Sequence, residues 1–210
     1  MNPRVPRILL LATVAFVAAL LGARALLPDV AAPPVLERAV WLPGGSPLPE
    51  FGFIDETGAP FDARRLRGRW TYVFFGFTSC PDICPTTLAT LASVRRALRD
   101  LPTELQPAVL LVTVDPSRDD AARLAPYVRY FDPAFHAVTG DEASLARVAS
   151  ALGAAYARVP LAAGGYTMDH SSSLFLIGPD VRLLATSGAP HDADVITRDY
   201  RALVARVTGD

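Results

Sequence analysis

The chain has 210 residues, a formal net charge of -1 and 51% hydrophobic residues. A near-neutral balance with no basic run or patch excludes nucleic acid as a partner. All 20 basic residues are arginine, a bias that points to GC-rich coding and not to a function.

Arg4 and Arg7 precede an uncharged apolar run from Ile8 to Ala23. Extension to Leu27 adds only Arg24, near the end, where it can snorkel to the headgroups. Residues 1–27 therefore read as a single N-terminal membrane anchor. The arginines before the run predict a cytoplasmic N-terminus and a periplasmic C-terminal domain at a bacterial inner membrane. A cleaved signal peptide is the alternative, with Ala23-Arg24-Ala25 as its small-x-small site. Residues 28–49 carry Pro28, Pro33, Pro34, Pro43, Pro47 and Pro49 with Gly44-Gly45. They read as an extended tether, or as an irregular arm anchored by Trp41. Residues 50–210 remain for one domain with a substantial core.

Within that domain, Phe51 to Ile54 and Pro60-Phe61 flank Asp55-Glu56-Thr57-Gly58, a hairpin signal. Trp70 to Phe77 is a continuous apolar strand of the kind found at the centre of a sheet. A loop then holds the chain's two cysteines, Cys80 and Cys84, in Ser79-Cys80-Pro81-Asp82-Ile83-Cys84-Pro85. Closing so short a loop stabilises a fold little, so the pair reads as chemistry and not as a staple. Pro85 suits the first helical position. That makes Cys84 the N-cap, beside free amide donors and the positive helix end, which favour thiolate. Thiolate serves disulfide exchange and metal binding alike, and the loop alone does not choose between them.

Leu88, Leu91, Val94, Leu98 and Leu101 form the buried stripe of the helix that follows. Ala108 to Val114 is a second buried strand. Asp115-Pro116-Ser117-Arg118-Asp119-Asp120 reads as a turn and a helix N-terminus, with carboxylates favourable at the positive end. Helix is expected from Asp119 to Phe131, a short strand at Ala134 to Val138, helix from Asp141 to Leu152 and an edge segment at Ala155 to Val159. Ser172 to Ile177 and Val181 to Thr186 form a hairpin across Gly178-Pro179-Asp180. A last helix buries Ile196, Tyr200, Leu203, Val204 and Val207. Strands alternating with helices, then a closing hairpin and helix, give an α/β three-layer sandwich with a mixed sheet. Of the three histidines, His136 is expected on a strand facing solvent and His191 exposed before a helix. His170 taken alone reads as a polar residue at a strand start.

Three segments together resemble the Sco/SenC family of copper chaperones: Phe75 to Pro85 with both cysteines, Val112 to Asp119 with Asp-Pro-x-Arg-Asp, and Asp169-His170-Ser171. The resemblance runs from about Phe51 to Val207 and includes the N-terminal anchor. It implies a thioredoxin-like fold and delivery of copper to the binuclear centre of cytochrome c oxidase subunit II. It implies Cys80, Cys84 and His170 as the copper ligands, and so reverses the ordinary reading of His170. Other periplasmic copper chaperones and thiol reductants are further implied partners. Ser79 stands where relatives often carry histidine, and the segment between Tyr156 and Tyr166 is short.

The chemistry agrees with the resemblance. Two thiolates and an imidazole suit Cu(I) and also hold Cu(II), whereas structural zinc normally takes four protein ligands. A Cys80–Cys84 disulfide excludes copper, so redox state gates loading. The same redox-active pair could instead serve a membrane-anchored thiol-disulfide oxidoreductase that reduces partner cysteines before metallation. CxxxC departs from the CxxC of most such reductants, and a reductase has no need of His170. A peroxidase or a copper sensor are more distant alternatives.

Overall fold

The structure is a computed structural model that describes residues 13, 15–19, 22 and 33–209. The chain divides into two units, residues 1–33 and 34–210. In the first unit Thr13, residues 15–19 and Gly22 are helical. The expected membrane segment, residues 8–27, lies largely outside the described residues. Among the described residues no helix is long and apolar enough to cross a membrane.

The second unit is built on an eight-stranded mixed sheet. In chain order the strands are β1 (Val40–Pro47), β2 (Phe53–Asp55), β3 (Pro60–Phe61), β4 (Thr71–Gly76), β5 (Ala108–Thr113), β6 (Phe135–Gly140), β9 (Leu174–Ile177) and β10 (Arg182–Ser187). Across the sheet the order is β1-β10-β9-β4-β5-β6-β2-β3. β4, β5 and β6 run parallel, and the other pairs are antiparallel. Every residue of β4 is buried, so the sheet is covered on both faces, as its uninterrupted apolar run predicts. The helices are α1 (Ile83–Ala97), α2 (Ala121–Phe131), α3 (Glu142–Leu152) and α4 (Ala193–Thr208).

Local chemistry accounts for the boundaries. The carboxylates of Asp120, Asp141 and Asp192 accept first-turn amides of α2, α3 and α4, and each sits at the N-cap. Gly153 and Gly209 end α3 and α4 in the left-handed conformation. Tyr200, on the buried stripe of α4, packs edge-on to Trp70 with ring centroids 6.0 Å apart and donates its hydroxyl to the Leu105 carbonyl.

Four expectations need correction. Residues 40–47 belong to no tether: despite their prolines and glycines they form edge strand β1 on β10, with a bulge between Trp41 and Ser46 that absorbs Gly44-Gly45. Ala155 to Val159 joins no edge of the main sheet. It lies within β7 (Tyr156–Pro160), which pairs with β8 (Tyr166–His170) in a separate two-stranded sheet. Val207 is exposed, in the last turn of α4. His136 is only half turned to solvent, because its Nδ1 lies 3.0 Å from the buried carboxylate of Glu56.

Side chains of α4 hold the arm that leads into β1: Arg198 pairs with Glu37, and Asp199 takes the backbone. Buried Asp199 of α4 accepts the backbone N–H groups of Glu37, Arg38 and Ala39 at 2.7, 3.0 and 2.8 Å. Asp199→Ala leaves those amides without their acceptor. It should lower stability by about 2–4 kcal/mol, measured by urea unfolding, while a surface variant such as Glu104→Ala should stay within about 0.5 kcal/mol of the parent protein.

Candidate metal centre

Strand β4 ends at Gly76 in the interior, and the chain turns through Phe77 to Asp82 before α1 begins at Ile83. Helix α1 starts earlier than its proline suggests. Asp82 is the N-cap residue, without a side-chain capping bond, and Cys84 lies inside the first turn. The Cys84 amide donates to the Cys80 sulfur at 3.4 Å, so an orphan donor of the helix start is directed at the other cysteine. Both cysteines are free, Cys80 half-buried and Cys84 fully buried.

His170 arrives from the far end of β8. Its Nε2 lies 3.4 Å from Cys84 Sγ, and its Nδ1 lies 3.1 Å from the Ser171 carbonyl. A carbonyl only accepts, so Nδ1 carries the proton and the bare Nε2 lone pair faces the sulfur. The Phe74 and Phe77 rings meet the imidazole edge-on, each with centroids 5.9 Å away, and hold its plane. Asp169, its neighbour in sequence, is exposed. The ring is therefore oriented by a backbone carbonyl and two aromatic walls.

The donor atoms of Cys80, Cys84 and His170 all lie within 4.8 Å of one another. A metal ion at about 2.3 Å from sulfur and 2.0 Å from imidazole nitrogen needs donors no more than about 4.6 Å apart. The three side chains fit one ion with little movement. His136 and His191 are not part of this group. His191, expected to be exposed, is half-buried, with its Nε2 2.7 Å from the Ser172 carbonyl.

Burial decides the resting protonation. The helix start was expected to favour a Cys84 thiolate, but desolvation pushes that thiol far up, and its contact with Cys80 adds to the rise. The Phe77 amide opposes this and does not win. Burial lowers His170 below the ordinary value of 6.5, against the opposing Ser171 carbonyl and Asp169 charge. The resting pair is a neutral thiol facing a neutral imidazole, and each holds its metal-binding lone pair close to the other.

The Asp115–Asp120 segment does more than cap a helix. Asp120 is the N-cap of α2, while Asp115 and Asp119 are each 1% exposed. Asp119 accepts the Thr78 amide at 2.9 Å, the Thr78 hydroxyl at 2.5 Å and the Thr113 hydroxyl at 2.7 Å. It thereby splices the cysteine loop to the end of β5. Arg123 braces the same loop from α2, donating to the hydroxyls of Thr78 at 2.8 Å and Ser79 at 3.0 Å. Asp115 is paired with Arg118 and accepts the Tyr166 hydroxyl at 2.9 Å. These roles were missed because two adjacent aspartates before a helix both look like caps, and only one can be.

Comparison with known proteins gives a consistent picture. The SCO1/SenC family model matches residues 45–205. A protein of Stutzerimonas stutzeri is 38% identical over 159 residues, covering 75% of this chain and 76% of the relative. The mitochondrial protein SCO2 homolog of Mus musculus is 36% identical over 160 residues, covering 74% of this chain and 62% of the relative. The structure of Arabidopsis thaliana ScoI with copper bound superposes with a TM-score of 0.71 at 28% identity, covering 75% of this chain and 98% of that one.

Gly76 is the tightest point of the site. A β-carbon there would lie 2.9 Å from Cys84 Sγ, 2.9 Å from Phe74 and 3.1 Å from Leu111. Gly76→Ala should displace the buried sulfur and destabilise the fold by about 1–3 kcal/mol. Metal titration should show a weakened centre, whereas Gly153→Ala, at an exposed helix end, should leave metal affinity unchanged.

Proposed function

We propose, from the premise that this chain belongs to the SCO1/SenC family, that Cys80, Cys84 and His170 bind one copper ion as cargo. The domain then hands copper to the binuclear centre of cytochrome c oxidase subunit II. The observation that carries this reading is the convergence of two sulfurs and a bare imidazole nitrogen from a loop, a helix and a detached hairpin. A dithiol reductant needs the first two and has no use for the third. Soft sulfur donors with one nitrogen suit Cu(I) and tolerate Cu(II). Delivery by the family and the copper-bound state of related structures such as that from Arabidopsis thaliana support the choice of metal.

The chain's own groups set the conditions of loading. Copper displaces the proton of the buried Cys84 thiol, so binding releases protons. The neutral His170 offers Nε2 without a proton to remove. Half-buried Cys80 is the sulfur that an incoming ion or a partner thiol reaches first. Oxidation of the pair to a disulfide removes both thiolates, so loading requires the reduced form.

The domain works on the periplasmic side of a bacterial inner membrane, held by residues 1–27. The charge-free run Ile8 to Ala23 and the arginines before it support this topology. An export-dependent reporter fused after Asp210 should be active and a cytoplasm-dependent one silent; the reverse pattern refutes the topology.

Anaerobic titration of the reduced protein should give one copper per chain. Cys80→Ser or Cys84→Ser should abolish tight binding, and His170→Ala should weaken Cu(II) more than Cu(I). An unchanged affinity in Cys80→Ser would refute the copper site. The sign of the pH dependence follows from the raised Cys84 thiol. Protonation competes with the metal, so apparent Cu(I) affinity should rise with pH, by about tenfold per unit for each proton displaced. Competition against a Cu(I)-selective chelator across a pH series measures this.

A further inference from the structure

The hairpin that carries His170 makes no strand pairing with the main sheet. β7 and β8 form their own two-stranded sheet, and an isolated hairpin is marginally stable in water. Its position against the cysteine loop is therefore set by side chains. Met168 is buried in the core, and the exposed Tyr156 hydroxyl reaches Glu142 at 2.5 Å. Phe74 and Phe77 flank His170 at the far end of β8, and a more elaborate anchor centres on Tyr166, where β8 begins.

Tyr166 lies between two guanidinium groups, with Arg118 3.9 Å and Arg158 4.2 Å from its ring centroid. Its hydroxyl donates to the buried Asp115 carboxylate at 2.9 Å, and its carbonyl accepts Arg118 Nη1 at 3.1 Å. Arg118 is itself paired with Asp115, and Arg158 donates to the Ser117 hydroxyl at 3.3 Å. Four of these contacts join the hairpin to residues 115–118: the Tyr166 hydroxyl to Asp115, the Tyr166 carbonyl to Arg118, Arg118 over the Tyr166 ring, and Arg158 to Ser117. The next residue, Asp119, holds the cysteine loop. Gly164 and Gly165, both at positive φ, form the turn immediately before Tyr166. Tyr166 is four residues from His170 along β8, about 13 Å. It touches no proposed ligand.

We propose that Tyr166 and Arg118 are positioning residues that latch the β7–β8 hairpin, and that this latch governs how fast His170 leaves the cysteine pair and copper is released. The inference rests on the copper reading above. Docked, the latch holds Nε2 against Cys84. Undocked, the hairpin carries the imidazole away and leaves a two-thiolate site from which a partner can take Cu(I). A partner that competes for Arg118 or for the Tyr166 ring would thereby trigger release.

The test uses two variants and two readouts. Tyr166→Phe keeps the ring between the arginines and loses only the hydroxyl bond to Asp115; Tyr166→Leu loses both. In the copper-free protein, hydrogen exchange of the hairpin amides, residues 156–170, should accelerate about tenfold in Tyr166→Leu and less in Tyr166→Phe, with β4 and β5 unchanged. In the copper-loaded protein, transfer of Cu(I) to a chelator should accelerate about five- to tenfold in Tyr166→Leu, with stoichiometry still one. In a His170→Ala background the same substitution should no longer change the release rate, because the latch acts through His170.

Unchanged hairpin exchange, or acceleration that persists without His170, overturns the proposal. If Tyr166→Leu also loosens β4, Tyr166→Phe decides by the same measurements. A wild-type protein that binds no copper overturns the copper reading instead, and the exchange measurement still decides whether the latch holds the hairpin.

Discussion

Residues 115–119 hold the two halves of the candidate centre together. The cysteines and the histidine come from segments separated by more than 80 residues, and neither segment pairs with the other through strands. Asp119 ties the cysteine loop to β5, and Asp115 ties the hairpin to the same turn. Both carboxylates are almost wholly removed from water. A buried charge without partners would be costly, so each is surrounded by donors that satisfy it. That requirement makes the turn rigid. The distance between Cys84 and His170 is then a consequence of where two carboxylates find their hydrogen bonds.

The electrostatics of the cysteine loop show two opposing effects and which one prevails. A helix N-terminus favours thiolate, and the amide of Cys84 does point at the Cys80 sulfur. Cys84 nevertheless sits at 0% exposure, packed above Gly76, and desolvation outweighs the helix end. The two cysteines are thus unequal, one partly open to solvent and one shielded as a neutral thiol. Inequality suits transfer chemistry, because an incoming group meets a single accessible sulfur first. It also shields the inner sulfur from direct attack, so oxidation of the pair to a disulfide begins at Cys80.

Much of the fold was legible from pattern alone. The apolar run of β4, the Leu88–Leu98 stripe of α1 and the hairpin of β9 and β10 rest on periodicity and turn residues, which are local properties. The errors fell where a distant partner overrode local preference. Residues 40–47 contain prolines and glycines that discourage a strand, yet β10 supplies an antiparallel neighbour and a bulge accommodates the glycines. Residues 156–160 have strand character but pair only with β8, a choice no local signal encodes. Asp119 looked like a cap because its partners, Thr78 and Thr113, are 41 and 6 residues away.

The sequence by itself determined the residue types of the candidate centre, the family and the order of most elements. These follow from side-chain chemistry and short-range spacing. Only the tertiary structure decided that Cys84 is buried and protonated at rest and that His170 presents Nε2. It alone revealed that Gly76 leaves room for the Cys84 sulfur and that Tyr166 fastens the hairpin to the turn below. Each of those depends on atoms brought together from distant parts of the chain, and burial, tautomer and register are properties of that assembly.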